Sequence, residues 1–176
     1  MISDIQPWLA GLIAAHPKFV TAGIKLDNSI VQAAAQSAGQ PVPAAARGIV
    51  IEDGTFPKTP GLESALQAPG LAIVIWYVGN VGLIATSKSG VSNVQLYLAI
   101  VIQENAAVNR AQGGTGIRAE DAYQYVYQAI AGKRMDGDPL NTNVVPHHEP
   151  FDNLGTANGV WSIVGNFTKE FRIGPL

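Results

Sequence analysis

The stretch Val94-Gln-Leu-Tyr-Leu-Ala-Ile-Val-Ile102 decides the fold. Successive side chains of an extended chain point to opposite faces, so Val94, Leu96, Leu98, Ile100 and Ile102 share one side and Gln95, Tyr97, Ala99, Val101 and Gln103 the other. A purely aliphatic side at period two predicts a strand packed hard against a core. The side carrying Tyr97 and two glutamines reads as half wetted or covered by a neighbouring chain.

Towards the C-terminus a glycine loop, Gln112-Gly-Gly-Thr-Gly-Ile-Arg118, leads into a helix predicted over Ala119–Ala131. Ala122, Tyr123, Val126, Tyr127 and Ile130 fall at helical spacing, and Glu120 and Asp121 place negative charge in the first turn, where the helix dipole favours it. Gly132 closes the helix and Lys133-Arg134 follow at its negative end. After a turn at Asp136–Pro139, two strands are predicted at Asn143–Leu154 and Val160–Ile173. They join through Gly155-Thr-Ala-Asn-Gly159, whose Asn-Gly pair favours a tight hairpin. In the last strand Trp161, Ile163, Gly165, Phe167, Lys169, Phe171 and Ile173 share one side.

Towards the N-terminus, Leu71-Ala-Ile-Val-Ile-Trp-Tyr-Val78 is rich in β-branched and aromatic residues and predicts a central strand. Gly79-Asn-Val-Gly82 reads as a turn, and Ser87–Gly90 as a second polar break. Ser3–Ala15 spaces Ile5, Leu9, Leu12 and Ile13 as an amphipathic helix, with Ser3 and Gln6 as a capping box and His16-Pro17 as its end. Between these lie weaker signals: a strand within Phe19–Leu26, an Ala-rich helix at Ser29–Ala38 and a strand at Gly48–Glu52. Pro41, Pro43, Pro57, Pro60 and Pro69 mark an excursion from the sheet over about 38–70. The expectation is one α+β domain over residues 1–176: a mostly antiparallel sheet of four to five strands with two main helices packed on it.

Composition narrows the function classes. Of 176 residues 47% are apolar and 14% charged, the latter well below the ~25% usual in soluble domains. A surface so poor in charge points to assembly with other chains. Net charge is −2 and the eleven basic residues lie singly apart from Lys133-Arg134, so no stripe tracks a phosphate backbone and no specific nucleic-acid recognition is expected. Cysteine is absent, which excludes a disulfide framework and thiolate chemistry. Met1-Ile-Ser-Asp4 lacks the basic start of a signal peptide, so synthesis into a cytoplasm is expected. The longest apolar run, Leu71–Val78, falls far short of the ~20 residues of a membrane-spanning helix, and no membrane partner is expected.

No constellation for catalysis stands out, and no catalytic, cofactor-binding or metal residue is assigned. The Gly113–Gly116 loop is the one place where backbone N–H groups ahead of a helix suit an anion. Ile117-Arg118 replaces the Lys-Ser/Thr of a P-loop, and the favoured reading is a flexible connection. His147-His148-Glu149 alternate across a strand and do not converge on one metal. Tyr123 and Tyr127 share a helix side and Tyr125 points away, a pattern of core packing rather than base stacking.

The opening helix, the Pro-rich stretch, the strands at Leu71–Val78 and Val94–Ile102, the helix from Ala119 and the closing Trp161-Ser-Ile-Val-Gly-Asn-Phe-Thr-Lys-Glu-Phe-Arg-Ile173 together resemble the tail-terminator and tail-completion proteins of tailed phages, in particular the Mu-like contractile-tail group. The resemblance lies in element order, not in diagnostic residues. It implies an α+β virion subunit, without cofactor or catalytic residue, that forms a hexameric ring on the tail tube. Its implied partners are the tube protein, the sheath protein and the neck or head-completion proteins. A place at another virion joint, as a head-completion or neck connector, is the neighbouring reading. A small anion- or nucleotide-binding enzyme using Gly113–Gly116 is the alternative of another class.

Overall fold

A computed structural model describes residues 5–26, 48–52, 66, 70–86, 92–136, 142–146 and 152–173. The chain is an α+β protein built on one mixed sheet. Helix α1 spans Ile5–Ala14 and α2 Pro17–Thr21, and they lead to strands β1 (Lys25–Leu26) and β2 (Gly48–Glu52). Strands β3 (Leu71–Thr86) and β4 (Ser92–Asn105) form a long hairpin, followed by α3 (Ala106–Asn109) and α4 (Ala119–Ile130). Strands β5 (Val145–Pro146), β6 (Asp152–Ala157) and β7 (Val160–Ile173) complete the sheet.

The strand order is β1-β2-β3-β4-β7-β5, with β6 also on β7. The β1–β2 and β2–β3 pairs are parallel and the other four pairings antiparallel. Among the described residues the sheet has seven strands rather than the four to five expected, two of them, β1 and β5, being two-residue pieces.

The aliphatic side of β4 is buried as its period predicts: Val94, Leu96, Leu98, Ile100 and Ile102 meet Leu71, Ile73 and Ile75 of β3 and Ile163, Phe167 and Phe171 of β7. Helices α1 and α4 close over this face. Helix α1 contributes Ile5, Leu9, Ala10 and Ile13, while α4 contributes Ala119, Ala122, Tyr123, Val126, Ala129 and Ile130. Across the sheet Ala72, Val74 and Val101 make a second, small cluster with Leu66 and Val164.

Several expectations are corrected. Gly79–Gly82 is not a turn: β3 continues through it, and a register shift between Tyr77 and Val81 absorbs the extra residues as a bulge. The strand expected within Phe19–Leu26 is shortened to its last two residues, because Phe19–Thr21 belong to helix α2 and Ala22-Gly23 to a turn. Pro17 takes its first turn, where a missing N–H costs nothing, and only Lys25–Leu26 extend. Of the strand expected at Asn143–Leu154, Val145–Pro146 stand in β5 and residues 152–154 in β6, while 147–151 lie outside the described residues. The Asn158-Gly159 turn is as expected, with φ of 51° and 77° joining Ala157 to Val160. Ser3, the Ser29–Ala38 helix, most of the excursion at 38–70 and the Ser87–Gly90 break lie outside the described residues.

Candidate functional site

The glycine loop is a built junction rather than a flexible connection. Glu104 shares the parity of Val94–Ile102 and therefore stands on the core side of β4, between Leu71 on β3 and Trp161 on β7. Its side chain is 2% exposed. Burial of a carboxylate at that depth costs several kcal/mol unless it is paired and hydrogen-bonded, and here three donors meet it. One oxygen accepts from Asn109 Nδ2 at 3.0 Å and Arg110 Nε at 3.4 Å, and the other accepts the backbone N–H of Ala119, the first residue of α4, at 3.0 Å.

Asn109 is the hub of the loop. Its Nδ2 also donates to the Ile117 carbonyl at 2.7 Å, and its Oδ1 accepts from the Thr115 N–H at 3.2 Å and from the Thr115 hydroxyl. Thr115 Oγ1 in turn accepts the Ile117 N–H at 3.0 Å, while Gly116 N–H reaches the Asn109 carbonyl at 3.1 Å. Two glycines make this packing possible. Gly70 and Gly114 lie so close to the Asn109 backbone that a methyl group on either would overlap it.

This geometry decides what the loop can bind. The α4 N-terminus, whose partial positive charge would attract a phosphate, already faces the chain's own carboxylate. An incoming anion would meet Glu104 at the same spot. The nucleotide-binding reading of Gly113–Gly116 therefore loses its physical basis, and Gly114→Val would disrupt the junction whether or not a ligand existed.

Beside the junction lies a cavity of about 260 Å³ lined by Glu104, Arg110, Arg118, Glu120, Gly159 and Trp161. Arg118 Nε stands 3.7 Å from Glu120 Oε2, both well exposed, and with Glu104 and Arg110 the lining carries two charges of each sign and no net charge. A larger groove of about 540 Å³ runs along β7 past Gln95, Arg134, Thr142 and Thr168. Lys169 at its base is 1% exposed, donates to the Thr142 carbonyl at 2.8 Å and to Thr142 Oγ1 at 3.2 Å, and lies 4.9 Å from the Phe171 ring centre. These contacts hold a buried ammonium in place.

The three tyrosines of α4 diverge instead of forming a platform. Tyr123 is buried against Gly165 of β7, and burial raises its phenol pKa, with a smaller contribution from Tyr127. Tyr125 stacks on His16 with ring centres 5.2 Å apart, and meets Phe19 edge-on. Tyr127, expected beside Tyr123 on the packed side, is 41% exposed. Among the described residues no group of three His, Cys, Asp or Glu side chains converges on a point, and His147-His148-Glu149 lie outside them. No described helix is long and apolar enough to cross a membrane. Sequence reading missed Glu104 and Asn109.

No family model and no curated protein matches the chain. Among solved structures it is similar to a chain of the virion of a native gene transfer agent particle, at 14% identity and a TM-score of 0.41, over 70% of this chain and 78% of that one.

Proposed function

We propose that this chain is a structural protein of a tailed-phage virion, a tail terminator that closes into a hexameric ring on the tail tube and joins it to the neck. The observation that carries the reading is the face of the sheet turned away from the helices. On β4 and β7 its described side chains include Asn93, Gln95, Tyr97, Gln103 and Asn105, then Ser162, Asn166 and Glu170, half-buried and with one charge among them, while Ala99, Val101 and Thr168 are buried and Val101 packs with Leu66. Some bond to one another, Tyr97 Oη to Gln95 Oε1 at 3.0 Å and Gln103 Nε2 to Ser162 Oγ at 3.3 Å. The half-buried polar groups among them, all neutral except Glu170, suit contact with another protein surface. The element order that underlies the resemblance to tail terminators, helix, two long strands, helix and closing strand, is also the order in the fold.

The ring needs no catalysis: one face matches the tube, and the other ends its growth. Light scattering on the purified protein, alone and with tail tube subunits, tests this. The expected result is a ring-sized species that caps tubes and limits their length. A strict monomer that ignores the tube would overturn the proposal.

A further inference from the structure

Strand β3 outruns its neighbour on one side by ten residues. The parallel pairing with β2 ends at Glu52 and Trp76. From Tyr77 to Thr86 no strand among the described residues lies on that side, while β4 holds the other as far as Ser92. An edge of this kind turns about half of its N–H and C=O groups outward, and another extended backbone is the partner that matches them in series.

Natural proteins blunt such edges with lysine, proline, brevity or a bulge. Leu71–Thr86 carries register shifts after Tyr77 and Leu83, but its sixteen residues, LAIVIWYVGNVGLIAT, include no charge and no proline. The opposite side of the sheet carries a second open edge. Among the described residues β6, Asp152–Ala157, pairs with β7 alone. A subunit whose sheet, among the described residues, ends on both sides in an edge without a partner is suited to head-to-tail contact, which closes into a ring when the rotation per subunit fits.

We infer that the β3 edge from Tyr77 to Thr86 receives the β6 edge of a second copy, so that the sheet continues from subunit to subunit. This rests on the assembly reading above and names the surface that performs it. The bulge between Tyr77 and Val81 has a part in it, because Asn80 has no β4 partner and is free to follow the neighbouring chain.

The chain has no cysteine, which makes disulfide mapping clean. Single variants Asn80→Cys, Gly82→Cys and Ile84→Cys are mixed in turn with Thr156→Cys under mild oxidation. At least one mixture should give a covalent dimer, and the corresponding double variant a ladder that stops at the ring size. Hydrogen exchange on the wild-type protein, which does not depend on register, should slow at least tenfold over residues 77–86 when subunits assemble. Asn80→Pro, placed where no β4 ladder is broken, should keep the monomer's melting temperature and weaken assembly at least tenfold; if it does not fold, the exchange measurement on wild type decides. Rings that form with no mixed disulfide and unchanged exchange at 77–86 overturn this inference and leave the assembly reading intact. A wild-type protein that stays monomeric with and without tube subunits overturns that reading, and the inference with it.

Discussion

A methyl group on Gly114 would run into the carbonyl oxygens of Asn109 and Val108, backbone atoms that cannot swing aside. Gly114→Ala should therefore cost about 1–3 kcal/mol in a urea unfolding titration, the range for forced overpacking. Gly113→Ala, which meets open space and bears only the strain of φ +93°, should cost about 1 kcal/mol. Removing the carboxylate is more severe, because it strands an Asn109 N–H and the Ala119 N–H in the interior. Glu104→Ala should lose about 1–3 kcal/mol for each donor left unpaired. Glu104→Gln should fail to restore it, since one of its amide hydrogens must face a donor; calorimetric melts of the two variants check both. The sequence held a signal for Glu104 that pattern-reading passed over. Counting by twos from Val94 lands on it, a charge on an otherwise aliphatic side. Its partner Asn109 had no such mark, because only the folded loop shows which backbone groups need it.

Helix α4 meets β7 where Gly165 leaves room for the Tyr123 ring. Gly165→Ala should displace that ring at a cost of about 1–3 kcal/mol, and much of the loss should disappear when Tyr123 is shortened to leucine, a coupling that a double-mutant cycle reads directly. The same contact sets a pH dependence. The folded state raises the Tyr123 phenol above its ordinary 10.0, mainly by desolvation, so the protonated form is favoured in the fold. Its contribution is complete below pH about 10 and is lost as pH climbs towards the raised value, because unfolding then releases a proton. Denaturant melts from pH 9 to 11 should show wild-type stability falling more steeply than that of Tyr123→Phe. At this scale strongly periodic elements were legible: β4, β7 and α4 stand where hydrophobic spacing put them, and the weaker signal at Gly48–Glu52 is strand β2. The errors fell where local chemistry is ambiguous. Gly-Asn-Val-Gly suits a turn and a bulge equally, and the pairing of β3 with β4 on both sides of it chose the bulge. His16-Pro17 ends one helix, but proline also begins the next.

Across the whole molecule, the scarcity of charge has a measurable effect. The proposed subunit contacts, made through neutral side chains and backbone edges, should respond weakly to screening, so their association constant should change by no more than about threefold between 50 and 500 mM salt, as read by sedimentation velocity. The α+β class and the packed face could be read from sequence because hydrophobic periodicity specifies them locally. The parallel β1-β2-β3 arrangement could not, since pairing between strands so far apart in the chain leaves no local trace. The Glu104 bond to Ala119 spans fifteen residues and has a consequence for the route to the native state. The first turn of α4 stays uncapped until the end of β4 has settled beside β3 and β7, so helix nucleation there waits on completion of the ladder. Sheet and helix should thus mature as one cooperative unit, with the carboxylate as the latch between them.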